Sequence, residues 1–89
     1  MAERLVRIQN KLGLHARASA KLASEASRFN SDVMLSRGGV EVNAKSIMGI
    51  MMLAACKGSE LQLRAEGPDA EAALNAIEVL INSCFGEGE

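Results

Sequence analysis

The apolar residues of this 89-residue chain change their spacing several times, and that switching constrains the fold more than any other feature. A spacing of 2 marks a strand with one covered face, and a spacing near 3.6 marks a helix with one covered stripe. Glu3 to Gln9 reads as a strand, with Val6 and Ile8 on one face and Leu5 and Arg7 on the other. Asn10 to Leu14 is a loop containing Gly13. Ala16 to Phe29 reads as a helix with Leu22, Ala26 and Phe29 along one side. Asp32 to Arg37 and Val40 to Ala44 are short strands joined by Gly38-Gly39, a hairpin connection that needs positive φ at both positions. Ser46 is placed to cap a helix running from Ile47 to Ala55, and Gly58 closes that region. Glu60 to Glu66 alternates, with Leu61, Leu63 and Ala65 inward. Gly67-Pro68-Asp69 reads as a turn with Asp69 as a cap. Ala70 to Phe85 is the longest helix, striped by Ala73, Leu74, Ile77, Leu80, Ile81 and Cys84. Gly86 stops it, and Gly86 to Glu89 reads as a frayed acidic tail.

The order is therefore βαββαβα. Strands with one polar face suit a sheet covered on one side only. The expected fold is α+β, an open-faced sandwich in which a four-stranded antiparallel sheet is covered on one face by three helices. A chain this short holds one core, so residues 1–89 are expected to form a single domain. The pattern leaves the strand order open, and a ferredoxin-like order fits the same elements.

Composition narrows the function by exclusion. The net charge is -1, which argues against a nucleic-acid binder. Phe29 and Phe85 are the only aromatics, so bases have nothing to stack on. The longest apolar run, Ile47 to Cys56, contains Gly49 and falls well short of the roughly 20 residues a membrane helix needs. Met1-Ala2-Glu3-Arg4 does not open like a signal peptide. A soluble, cytoplasmic protein without membrane insertion is expected. Cys56 and Cys84 are expected to be free thiols on helices. With a single histidine in the chain, neither a metal site nor a cofactor is expected.

The chemistry concentrates in Gly13-Leu14-His15-Ala16-Arg17, where the first loop becomes the first helix. The opening N–H groups of a helix lack partners within it, and the helix dipole there favours negative charge. Such an end binds phosphate readily. A histidine at the cap position can hold a phosphoryl group over the backbone amides of Ala16 and Arg17. Arg17 can add its guanidinium fork to the same oxygens. Neutral imidazole is a good nucleophile near pH 7, because its ordinary pKa is about 6.5. Phosphoryl transfer needs mostly positioning and charge stabilisation, so few residues suffice.

These residues resemble the active-site signature of the histidine-containing phosphocarrier family, HPr, of the bacterial phosphotransferase system. Lys45-Ser46-Ile47-Met48-Gly49-Ile50-Met51-Met52-Leu53 resembles the family's second signature, around a regulatory serine, and Ala65-Glu66-Gly67-Pro68-Asp69 resembles its last strand and turn. The resemblance implies a sheet in which the first strand neighbours the fourth. It implies phosphorylation of His15 on Nδ1 by enzyme I, drawing on phosphoenolpyruvate, then transfer to a histidine of an enzyme IIA protein. Arg17 carries over as the phosphoryl-stabilising residue. A carrier of this kind is not expected to turn over substrate alone.

Where the family usually has proline after that arginine, this chain has Ala18. No reacting group is lost by that change. Asn10-Lys11-Leu12-Gly13, His15-Ala16-Arg17-Ala18 and the ending Phe85-Gly86-Glu87-Gly88-Glu89 are more similar to the nitrogen-linked branch, NPr, whose donor is a paralogue of enzyme I. Ser46 reads as an N-cap, and the resemblance adds regulatory phosphorylation there by a serine kinase. Ala20, Ile47, Met48 and Met51 are expected on the partner-docking face, where methionine adapts to several partners. Basic residues near that face are few, leaving Arg17, Lys21 and Lys45, so docking should depend weakly on salt. Two other readings compete: the sugar-uptake branch, and a regulatory module that binds partners according to its phosphorylation.

Overall fold

A computed structural model describes residues 2–86; the expected acidic tail beyond Gly86 lies outside them. The elements are β1 (Ala2–Arg7), α1 (Ala16–Ala26), β2 (Asp32–Arg37), β3 (Val40–Asn43), α2 (Ile47–Met52), β4 (Glu60–Glu66) and α3 (Ala70–Asn82), followed by a 3-10 turn at Cys84–Gly86. The sheet order is β1-β4-β2-β3, with every neighbouring pair antiparallel. The first strand therefore neighbours the fourth, as the resemblance implied. A ferredoxin-like order, with the first and third strands at the centre, does not apply.

Alternation decides which face is covered. Val6 pairs with Leu61, and Leu35 lies between Leu63 and Val42. Leu61, Leu63, Leu35 and Val33 are buried beneath the helices, whereas Leu5 on the opposite face is 68% exposed. Helix α1 contributes Leu22 and Ala26 to this core, and α3 contributes Leu74, Ile77 and Ile81. Each fully buried leucine, isoleucine or valine among these contributes about 1.5–3 kcal/mol relative to exposure. Gly38 and Gly39 both take positive φ (56° and 88°), the twist a two-residue hairpin loop requires.

The helix ends depart from the sequence pattern. Helix α1 stops at Ala26, and Arg28 and Phe29 continue in tighter turns that bond back to Glu25 and Ala26. Phe29 still packs against the core. Helix α2 stops at Met52, because Ala54 adopts a left-handed conformation at φ 51°. Cys56 consequently lies in an exposed loop, correcting its expected place on a helix. Helix α3 stops at Asn82. Cys84, Phe85 and Gly86 then turn left-handed (φ 54°, 56° and 73°), which swings Phe85 into the core at 1% exposure. Both thiols are free.

Asp69 occupies the N-cap of α3 but makes no side-chain cap bond to it. Its carboxylate instead accepts from the Asn30 amide (2.9 Å), the Ser31 amide (2.9 Å) and the Ser31 hydroxyl. The Asp69 amide donates back to Ser31 Oγ at 3.1 Å. This clasp joins the turn after α1 to the turn before α3, at the end of the sheet where Ala2 pairs with Ala65.

Candidate functional site

The other end of the sheet, where Arg7 pairs with Glu60, carries His15. Ile8 extends the β1–β4 pairing through Ser59 and Gly58. The chain then closes a tight turn. The Gly13 amide donates to the Asn10 carbonyl (3.2 Å), and the Asn10 side-chain Nδ2 donates to the Gly13 carbonyl (2.7 Å). Gly13 sits at φ 67°, and a Cβ there would lie 2.5 Å from the Ala55 carbonyl oxygen and 2.7 Å from Cys56 Cα. Only glycine fits so close an approach. The next amide, of Leu14, donates to that same Ala55 oxygen at 3.0 Å. The segment following α2 thus anchors the loop one residue before His15.

His15 is the N-cap of α1, in extended backbone conformation. Its carbonyl accepts the first helical bond, from Ser19 at 2.8 Å. Ser19 is itself buried and returns its hydroxyl to the Leu14 carbonyl. The His15 side chain makes no cap bond, and the first turn of α1 contains no acidic residue. The ring is half-buried, with Nδ1 3.0 Å from the Gly13 carbonyl oxygen. A carbonyl only accepts, so this contact places a ring proton on Nδ1.

Ala16 and Arg17 open the helix on its exposed side, and Ala20 is half-buried one turn further on. Lys21 reaches across to the Phe85 carbonyl (2.8 Å), and Lys45 to the Phe29 carbonyl (2.9 Å). Ser46 caps α2, accepting from the Gly49 amide at 3.1 Å. Only Ile50 of that helix is buried. Ile47, Met48 and Met51 are exposed beside α1, Met48 by 76%.

Met52, 74% exposed, extends this apolar surface and was not among the expected docking residues. Asn10 was also missed. It is fully buried, although polar loop residues ordinarily face solvent. Its spacing of three before Gly13 is the signal that could have found it, since asparagine side chains close turns of this kind. Among the described residues, no group of three histidine, cysteine or acidic side chains could hold a metal, and no helix is long and apolar enough to cross a membrane.

A family model described as "PTS HPr component phosphorylation site" matches residues 2–83. The phosphocarrier protein HPr of Cupriavidus necator is 56% identical over 89 residues, covering 100% of both chains. A multiphosphoryl transfer protein of Vibrio cholerae is 49% identical over 85 residues, which cover 92% of this chain and 21% of that protein. The crystal structure of HPr from Thermoanaerobacter tengcongensis superposes with a TM-score of 0.95 at 47% identity, covering 98% of each chain.

Proposed function

The chain belongs to the HPr family of phosphocarriers of the phosphotransferase system, and from that membership we propose that His15 takes a phosphoryl group from enzyme I and yields it to an enzyme IIA histidine in the nitrogen-linked branch. A carrier of this family passes phosphoryl groups between proteins and is not a stand-alone enzyme. One observation carries the residue assignment. His15 stands at the N-cap of α1, half-buried, and its side chain makes no cap hydrogen bond.

The chemistry follows from that position. Taking a phosphoryl group on Nδ1, the atom the family resemblance points to, first requires the ring to turn from the Gly13 carbonyl. Nδ1 gives its proton to water, and Nε2 takes one from water. The Nδ1 lone pair then attacks phosphorus, and the bond from phosphorus to the donor breaks with its electron pair returning to the donor. The transferred oxygens meet the positive end of α1, the amides of Ala16 and Arg17 and the Arg17 guanidinium. Onward transfer reverses these steps on the acceptor. Ala20, Ile47, Met48 and Met51, with Met52, supply the docking face. Lys21 and Lys45 already bond to main-chain carbonyls, which favours weak salt dependence.

A serine kinase acting on Ser46 is part of this reading. Phosphate there would add charge to the docking face and take the hydroxyl from its cap role. An ATP-dependent phosphoprotein signal in cell extract, absent in Ser46→Ala, supports it; no signal in the parent protein counts against it.

The branch rests on Asn10-Lys11-Leu12-Gly13 and on Ala18 in place of proline. The Cupriavidus necator relative carries the general name HPr, so the sugar-uptake branch stands as second reading. Incubation with phosphoenolpyruvate and each enzyme I paralogue of the host decides both questions. Acid-labile label on the parent, absent in His15→Ala, is expected. The nitrogen-branch paralogue should be the effective donor, and no label from any paralogue would refute the carrier assignment.

A further inference from the structure

Two donors meet at the Gly13 carbonyl among the described residues: Asn10 Nδ2 at 2.7 Å and His15 Nδ1 at 3.0 Å. They differ in permanence. Asn10 is fully buried and tied to Gly13 a second time through its own carbonyl, whereas the His15 ring is half-buried and must leave to react. Gly13 itself is buried against Ala55 and Cys56. A carbonyl buried there without a donor would be costly, and a carbonyl with two lone pairs can keep one donor when it loses another.

We propose that Asn10 is a positioning residue for phosphoryl transfer: its side-chain amide keeps the Gly13 carbonyl bonded when the His15 ring gives up that contact to take a phosphoryl group on Nδ1. The inference rests on the carrier reading of His15. The resting ring shares an acceptor that does not depend on it. Releasing the ring therefore strands no buried oxygen, and the phosphorylated state is not penalised. The oxygen of the same amide, Asn10 Oδ1, is buried with no hydrogen-bond partner within the protein. The fold thus retains a buried amide of which only the N–H side is bonded within the protein, and a residue kept merely to fill volume would carry no such burden.

The test has two arms. In the parent protein labelled with 15N and 13C, phosphoenolpyruvate and enzyme I convert His15 to the phospho form. The Nδ1 proton signal should vanish while the scalar coupling from Asn10 Nδ2 to the Gly13 carbonyl carbon persists. In Asn10→Leu, the shape is kept and the partnerless Oδ1 is removed with the donor, so the fold should survive. At a fixed ratio of phosphoenolpyruvate to pyruvate, the phosphorylation equilibrium constant of that variant should fall on the order of tenfold, with His15 still the site. Loss of the Asn10 coupling on phosphorylation of the parent overturns the proposal, whatever the variant does. So does an equilibrium constant unchanged in the folded variant. A parent that takes no phosphoryl group at all refutes the carrier reading instead.

Discussion

His15 and Asp69 hold the same local position at opposite ends of the molecule, and they put it to opposite uses. Each is the N-cap of a long helix, and neither spends its side chain on capping. Asp69 turns its carboxylate outward from α3 onto three donors of the facing turn, so its bonds join two segments of chain. His15 turns its ring back onto its own loop, where Nδ1 lies 3.0 Å from the Gly13 carbonyl oxygen. The first turn of α3 carries Glu71, whereas that of α1 carries no acid and has Arg17. A first-turn acid thus stands at one helix start and is absent from the other. On the proposed reading, an N-cap can serve as a phosphoryl site when no acid in the first turn answers its helix dipole.

The largest expected contrast follows from exchanging these roles for alanine. His15→Ala should abolish acid-labile labelling while leaving thermal stability within about 0.5 kcal/mol of the parent, as for other partly exposed sites. Asp69→Ala should do the reverse, lowering the melting temperature while His15 still takes label. A His15→Ala protein that melts far below the parent would show that the two ends are not divided in this way.

Gly13→Ala comes next, and it strikes the His15 end through its backbone. The new Cβ would be 2.5 Å from the Ala55 oxygen, at a φ that L-residues rarely adopt. A loss of about 2–3 kcal/mol in denaturant unfolding is expected. The ring should lose its Gly13 contact as well, visible as a change in His15 ring 15N shifts.

The clasp can be sharpened by acid. The Ser31 hydroxyl, then the Asn30 amide, hold the Asp69 carboxyl below the usual carboxylate range. A depressed folded-state pKa contributes stability that is present above the unfolded value and lost as pH falls through the folded one. Stability of the parent should therefore decline below about pH 4. Asp69→Asn should be less stable at pH 7 and show a flatter acid limb. Parallel curves for the two proteins would deny the clasp its role.

The sheet was legible because period 2 leaves no ambiguity about faces: Leu61, Leu63 and Ala65 could only point one way, and the Gly38-Gly39 hairpin has few solutions. The place of His15 at the start of α1 was legible for the same kind of reason, since the apolar spacing changes there. Helix ends were not. Apolar spacing runs on smoothly through Ala54 and Cys84, and nothing in an alanine or a cysteine announces a left-handed turn. Asn10 was hidden because its loop packs at Gly13 against Ala55 and Cys56, more than forty positions away, a contact that local spacing does not show.

That hidden segment yields the smallest expected effect and the finest division between the two ends. Among the described residues, the non-glycine positions with positive φ are Ala54, Cys84 and Phe85, and all three lie toward the His15 end, whereas beside the Asp69 clasp the positive φ belongs to Gly67. Strain of this kind costs roughly 1–2 kcal/mol for an L-residue. Ala54→Gly relieves it, although glycine also widens the unfolded ensemble, and the net gain should be about 0.5 kcal/mol. The residue sits between Met51, whose carbonyl its amide reaches, and Ala55, whose carbonyl holds Leu14. A stabilised variant with unchanged labelling would mean that the left-handed turn only ends α2. A stabilised variant that takes label more slowly would mean that the turn's stiffness helps α2 hold the histidine loop, and that strain at this end serves the chemistry.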